Sequence, residues 1–418
     1  MSYPTTAIIL AGGKGTRLKS VVRDLPKPLA PVAGRPFLSW QLDHLAGQGI
    51  QKVILSTGYK AEAFYEQIGS TWRGMEIIHV VEHEPLGTGG AIRWATRELQ
   101  DQLCWVLNGD TYVDFRFSAQ YEFHLASRAA CTLALKQMKD FDRYGTVRLD
   151  ALGTILGFQE KRQVEVGLIN AGVYLLDLSV LKDWEPGSAF SFEREVLESA
   201  TGASGLAGLP VGGHFLDIGI PEDYHLAQTC IPMWAEGKAD VRKPRPDDTW
   251  TLFLDRDGVL NERIPNDYVR HPDQFIWLPG VRQALKYLRR RFGRMVIVTN
   301  QQGIGKGWMS PNDLDLVHRK MLDDLAEDEV DLDGIYYCPG LAGEHPVCRK
   351  PLPGMALQAL HDHPSLDLGR SILVGDSRSD IDFGNRLGMF TVRIGSDQEE
   401  ADHVVQDLAA FAEWCLSE

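Results

Sequence analysis

Short apolar runs alternate with amphipathic stretches twice along this chain, and a polar, proline-bearing gap separates the two alternations. In the first, β-rich runs fall at 7–10, 52–56, 76–81, 103–107, 130–135 and 172–176, with helical patterns at 36–48 and 90–98. Strands that alternate with helices predict a mostly parallel sheet with helices on both faces. Residues 146–159 turn back around 150–153 and predict an antiparallel excursion. From Thr251 the second alternation places strands at 251–255, 295–299, 334–337, 371–375 and 390–394, with helices at 281–290 and 312–327. The predicted fold class is α/β, as two doubly wound domains, the N-terminal one Rossmann-like with a mixed sheet. The gap between Trp234 and Trp250 is charged and aperiodic, which is linker composition. The predicted division is a domain at 1–235, a linker at 236–249 and a domain at 250–418.

Composition narrows the partners. The 418 residues are 44% hydrophobic and 24% charged, as in an ordinary globular chain with enough apolar material for two cores. A formal charge of −14 argues against nucleic acid and against an anionic membrane surface, while small anionic substrates remain open where Lys and Arg cluster. No apolar run reaches transmembrane length, and the first residues lack a signal-peptide pattern. Six scattered cysteines make no disulfide framework, so a reducing cytoplasm is expected. Assembly into a homo-oligomer stays open.

Phosphate chemistry is written into the start of each half. The strand at 7–10 runs into Gly12, Gly13 and Gly15, whose backbone N–H groups can turn toward an anion, with the cations Lys14 and Arg17 beside them. Lys27 stands in Pro26-Lys27-Pro28-Leu29, a rigid turn presenting one ammonium. A second small-residue loop around Gly87 and Thr88 has room for a flat base or a ribose. Asn108-Gly109-Asp110 ends an apolar strand, where a carboxylate can hold a hard cation against phosphates. His79, His83 and His214 have no ligand-like spacing, and Tyr144-Gly145 reads equally as a β-turn or as the wall of a sugar pocket.

Together these residues resemble the sugar-1-phosphate nucleotidyltransferase family, over about residues 5–230. The resemblance implies transfer of a nucleotidyl group from an NTP to a sugar 1-phosphate with release of pyrophosphate. It implies nucleotide contacts from Leu10, Ala11, Gly12, Gly13, Lys14, Gly15, Thr16, Gly87, Thr88, Asn108 and Gly109, with Arg17 and Lys27 as charge stabilisers. Asp110 and Asp217 would bind Mg²⁺, and Glu160, Lys161 and Asn170 would meet the sugar and its phosphate.

In the second half, Asp255 and Asp257 follow an apolar strand at i, i+2, a spacing that lets both side chains point into one pocket. One carboxylate can attack phosphorus while the other handles the leaving-group proton. Thr299 ends the next strand, Lys350 lies in Cys348-Arg349-Lys350-Pro351, and Asp376 and Asp380 follow the strand at 371–375. Four motifs in this order match the haloacid dehalogenase (HAD) superfamily, and about residues 250–395 look like the D-glycero-D-manno-heptose 1,7-bisphosphate phosphatases. The resemblance implies Asp255 as nucleophile, Asp257 as acid/base, and Thr299, Asn300 and Lys350 around the phosphoryl group. Mg²⁺ would sit on Asp255, Asp376 and the backbone carbonyl of Asp257, and Arg349 would grip a second phosphate. Relatives with structural zinc supply four ligands; here Cys338, Cys348 and His345 remain, Gly340 and Pro346 replace the others, and a zinc site is not expected. Asp380 is read either as support behind the site or as a helix cap.

Removing the 7-phosphate of a heptose bisphosphate yields a heptose 1-phosphate, the kind of acceptor the first half activates. The segment 84–90 resembles heptose 1-phosphate guanylyltransferases and suggests GTP. Two other readings compete: a hexose 1-phosphate nucleotidyltransferase joined to a histidinol-phosphatase-like domain, and a regulatory protein that only binds nucleotide sugar.

Overall fold

A computed structural model describes residues 2–13, 18, 25–201, 205–237, 243–396 and 400–416. The chain divides into two compact units, Met1–Arg148 with Thr154–Asp240, and Val241–Glu418 with the short piece Leu149–Gly153.

The first unit is built on a ten-stranded sheet. Its centre is parallel: β1 (Thr6–Leu10) lies between β2 (Lys52–Thr57) and β4 (Leu103–Asn108), with β3 (Met75–Val81) beyond β2. The helices α1 (Phe37–Gly47), α2 (Ala61–Ile68) and α3 (Gly87–Ala95) are the crossovers that parallel strands require. Ala7, Ile8 and Ile9 are fully buried, as expected of a strand covered on both faces. Leu10 is in register with Ser56 on one side and Asn108 on the other. The loops that leave β1, β2, β3 and β4 therefore open at one edge of the sheet, where ligands of such folds collect.

The departure from the expected pattern lies further along. The runs at 130–135 and 172–176 are pieces of two long strands, β6 (Cys131–Phe141) and β9 (Val164–Asp177), that pair antiparallel, with β9 also antiparallel to β4. The turn-back at 146–159 is present as β7 (Thr146–Leu149), next to β9, and β8 (Ile155–Gln159) beyond it. A small separate sheet joins β5 (Thr111–Val113) to β11 (Phe215–Asp217), and α5 (Pro221–Ala235) follows it.

The second unit carries six parallel strands in the order β14-β13-β12-β15-β16-β17, namely Gly334–Cys338, Arg294–Asn300, Thr251–Leu254, Ser371–Gly375, Phe390–Ile394 and His403–Val405. Successive residues of the central strand serve opposite cores. Leu252 and Leu254 pack with α6 (Val281–Arg291) and α7 (Pro311–Glu327), while Phe253 packs with α8 (Gly354–Asp362) and α9 (Arg378–Leu387). Strand β17 was not anticipated, because three residues are too few to show a period.

Candidate active sites

In the first unit a cavity of about 770 Å³ opens at the sheet edge where β1 to β4 end. Leu10, Ala11, Gly12, Gly13, Lys27, Gly87, Thr88, Asn108 and Asp110 line it, all residues the sequence had assigned to this site. Lys14, Gly15, Thr16 and Arg17 lie outside the described residues.

Asp110 and Asp217 meet because β11 pairs antiparallel with β5, which sets Asp217 opposite Thr111, one residue past Asp110. The Lys27 ammonium bridges the two carboxylates, donating to Asp110 at 2.6 Å and Asp217 at 3.2 Å. Two carboxylates that share one ammonium at these distances are close enough to share a divalent cation, and hard oxygen donors suit Mg²⁺. Gly219 makes room for the cluster, since a Cβ there would lie 3.0 Å from Asp217 Oδ1 and 3.2 Å from Lys27 Nζ. Tyr144 stands beside Asp217, and burial together with that carboxylate pushes its phenol up to about 12. Asn170 donates to the Tyr174 hydroxyl at 2.8 Å and accepts from Gly172 N at 3.0 Å, and Gly172 lies against Asn108. Glu160 and Lys161 are exposed on the segment after β8, outside the cavity lining.

In the second unit Asp255 follows β12, and its N–H donates to Val374 O in β15. Asp255, Asp376 and Asp380 gather ligand oxygens within 4.8 Å of one another, a grouping that fits a hard divalent cation. Lys350 is buried among them, 2.7 Å from Asp255 and 2.5 Å from Asp380, and also donates to Val298 O at 2.7 Å. Burial raises the pKa of Asp255, a push that Lys350 opposes and Asp380 reinforces. Asp376 is raised by burial and by Asp380, against the pull of Arg263 at 3.3 Å. Gly258 has φ +95°, and a Cβ there would come within 2.2 Å of Asp376 Oδ2, so only glycine lets that loop close over the cluster.

Asp257 sits in a clamp of hydrogen-bond donors. Its carboxylate accepts from the guanidinium of Arg256 at 2.9 Å on both oxygens, from Asn261 at 2.9 Å and from Gln301 at 2.8 Å. Burial alone would raise its pKa, but these donors outweigh burial and hold it low. The most crowded carboxylates are 255, 376 and 380, and Asp257, whose charge also acts on Asp255, is held by donors of its own. Asp380 has both readings at once, because it closes the capping box of α9 with Ser377 and pairs with Lys350.

These geometries agree with what the chain is similar to. Residues 6–232 match the nucleotidyl transferase family, and residues 347–412 match a HAD-hydrolase-like family. The D-glycero-α-D-manno-heptose 1-phosphate guanylyltransferase of Campylobacter jejuni is 43% identical over 219 residues, covering 52% of this chain and 96% of that protein. The D-glycero-α-D-manno-heptose-1,7-bisphosphate 7-phosphatase of Mycobacterium bovis is 47% identical over 138 residues, covering 33% of this chain and 73% of that protein. The chain belongs to the nucleotidyl transferase family, fused to a HAD phosphatase. Among solved structures, HddC from Yersinia pseudotuberculosis is 34% identical with a TM-score of 0.49, covering 56% of this chain and all of that one.

The transferase unit holds two carboxylates that the sequence reading missed. Glu82 follows β3 directly, accepts from Ser56 Oγ at 2.9 Å and lines the cavity beside Gly12. Glu193 also lines it and accepts from Thr88 Oγ1 at 2.5 Å. The position of Glu82 at the C-terminal end of a parallel strand was the available signal. In the phosphatase unit the missed residues are Arg256, fully buried, and His318 on α7, whose Nε2 lies 3.2 Å from Arg256 Nη1. Burial and Arg256 push His318 down to about 3, so it is neutral and accepts that hydrogen bond. Asn300 spends both ends of its amide on the backbone of Lys350, at 3.1 and 3.4 Å, and so positions the lysine. Cys338 and Cys348 are joined as a disulfide, which the expectation of reduced, scattered cysteines did not include. The end of β14 and the loop before Arg349 run side by side, with Cα atoms 5.2 Å apart. Among the described residues His345 joins no metal-ligating group. No helix among the described residues is long and apolar enough to cross a membrane.

Proposed function

We propose that the chain carries out two consecutive steps on one sugar: removal of the 7-phosphate from D-glycero-D-manno-heptose 1,7-bisphosphate, then transfer of GMP from GTP to the resulting heptose 1-phosphate. The observation that carries the reading is the pairing itself. One chain matches a guanylyltransferase and a phosphatase whose named substrates differ by the single phosphate that the second enzyme removes.

In the phosphatase unit, Asp255 attacks the 7-phosphorus, the P–O7 bond breaks, and O7 takes a proton from Asp257. Water then attacks the aspartyl phosphate, gives its proton to Asp257 and frees both phosphate and Asp255. Asp257 rests ionised on Arg256, Asn261 and Gln301; the incoming phosphate dianion raises its proton affinity, so that it takes from solvent the proton it then gives to O7. Lys350 and Thr299 neutralise and steady the transferring group. Arg349 has a buried Nη1 with no hydrogen-bond partner among the described residues, a donor free for the 1-phosphate. A Mg²⁺ ion held by Asp255 and Asp376 would supply the remaining positive charge.

In the transferase unit, a phosphate oxygen of heptose 1-phosphate attacks the α-phosphorus in line, and the Pα–O bond to pyrophosphate breaks. No proton has to move, so position and positive charge from Lys27 supply the catalysis, to which a Mg²⁺ ion held by Asp110 and Asp217 would add charge. Glu82 favours guanine: a carboxylate only accepts, guanine presents N–H donors along one edge, and adenine presents an acceptor there. Asn170, Glu160 and Lys161 meet the acceptor at the edge beside Tyr144.

The test is a product assay with heptose 1,7-bisphosphate, GTP and Mg²⁺. GDP-heptose, inorganic phosphate and pyrophosphate in equal amounts are expected. Faster pyrophosphate release with mannose 1-phosphate, or faster phosphate release from histidinol phosphate, would overturn the substrate reading.

A further inference from the structure

The Lys27 ammonium sits between the two carboxylates that the transferase reading gives to the metal. A single positive charge there leaves the trio one unit negative, whereas a divalent cation would neutralise both carboxylates. The arrangement is open to exchange, because the Asp110 and Asp217 side chains are 38% and 24% exposed. Lys27 projects from a rigid one-turn segment, Lys27–Leu29, with Pro28 and Leu29 buried. Its backbone is therefore fixed while its four-carbon stem can swing. The same cavity lining that includes Lys27 and Asp110 also includes Gly12, Gly13 and Thr88, where the nucleotide is placed.

We infer that Lys27 is an exchangeable counter-ion. It holds Asp110 and Asp217 together in the metal-free protein, gives them up to the divalent cation, and carries its ammonium to the triphosphate. The inference rests on the transferase reading and adds an order to it: the cation that Lys27 supplies to the phosphates becomes available only once the carboxylates have another. Charging of the site and arming of the lysine are then one event. In the metal-free protein Lys27 competes with the metal, and in the loaded protein it sits beside the phosphates.

Competition has a signature that a fixed charge stabiliser lacks. Removing Lys27 should strengthen metal binding in the absence of nucleotide, although it removes a residue needed for catalysis. Two partly exposed ion pairs are worth about 1–2 kcal/mol together, so the gain is about tenfold. The measurement uses the full chain with Asp376→Asn to silence the metal cluster of the phosphatase unit. Mn²⁺ is titrated and free Mn²⁺ is read by electron paramagnetic resonance. Tighter binding by the Lys27→Met protein supports exchange; equal or weaker binding overturns it. A second measurement keeps Lys27 in place. Reductive methylation read by mass spectrometry should label Lys27 slowly without metal and several-fold faster with Mn²⁺ alone. A labelling rate that Mn²⁺ leaves unchanged overturns the inference even if the Met variant does not fold. Asp110→Asn separates the two claims: if it leaves Mn²⁺ binding intact, the metal reading of this site falls, and the exchange with it.

Discussion

Lys350 is the residue whose loss the phosphatase unit should feel most, and the effect follows from burial. Its side chain is 2% exposed and lies between Asp255 and Asp380, themselves 10% and 1% exposed, with Asp376 close behind. Lys350→Met keeps the stem and deletes the charge, leaving the two buried carboxylates of Asp255 and Asp380 without an ammonium. Breaking a buried pair from one side costs about 3–5 kcal/mol, because the abandoned charge has no solvent to return to. For a unit of this size that corresponds to a melting shift of about 6–20 °C. Scanning calorimetry of the full chain in a chelator at pH 7 should show it. The pH dependence has a definite sign. Carboxylates stripped of their ammonium have folded-state pKa values above their unfolded ones, so they penalise folding increasingly as pH rises between the two. The deficit should therefore shrink as pH falls from 7 toward 5. Adding Asp380→Asn to Lys350→Met should return part of the loss, since it removes one abandoned charge. A Lys350→Met protein that melts with the parent at pH 7 without metal would refute the reasoning.

The remaining expectations concern activity. With heptose 1-phosphate supplied as acceptor, Asp255→Asn should abolish phosphate release from the bisphosphate and leave pyrophosphate release intact, and Asp110→Asn should do the reverse; loss of both activities in either variant would refute independent sites. Glu82→Gln should lower kcat/KM for GTP by about tenfold or more, the worth of a hydrogen bond to a charged acceptor, with ATP little affected. Equal losses with both nucleotides would remove Glu82 from base selection. His318→Phe leaves Arg256 Nη1 without its acceptor, and by loosening the clamp on Asp257 it should lower kcat of the phosphatase more than it raises KM. His318→Gln, which keeps an acceptor, should recover much of the rate, and no difference between the two would confine His318 to packing.

What the sequence made legible was whatever a local pattern encodes. Parallel strands with apolar runs, such as 7–10 and 251–254, announce themselves, and the residues at their C-terminal ends lead directly to Gly12, Asn108 and Asp255. Side-chain direction was not legible. Asp255 and Asp257 have the spacing of a shared pocket, but the clamp of Arg256 and Gln301 on Asp257 is set by the packing of α7 and the loop at Gln301, which no local pattern shows. Glu82 and Glu193 were missed because lone glutamates carry no motif; the cavity wall brings Glu193 against Thr88 from 105 positions away. The meeting of Asp110 and Asp217 depends on the pairing of two three-residue strands, too short to read in advance.

Both units place a lysine across two carboxylates, and the difference in burial between them separates two uses of one device. Lys350 is 2% exposed and has a third fixed partner in the Val298 carbonyl, so freeing its ammonium would strand charge in an apolar wall. It can only serve as a permanent part of the electrostatic frame. Lys27 is 11% exposed, has no backbone acceptor among the described residues, and faces carboxylates that water already reaches. Release costs it little, since solvent and phosphate can replace what it leaves. The chemistry asks for this contrast. In the proposed phosphatase reaction, a phosphoryl group carried on Asp255 would need a fixed cation at one point throughout both half-reactions. In the proposed transfer, a triphosphate that departs as pyrophosphate would need a charge that can follow it. If Lys350→Met, like Lys27→Met, bound Mn²⁺ more tightly and melted with its parent, the distinction between fixed and exchangeable lysines would fail.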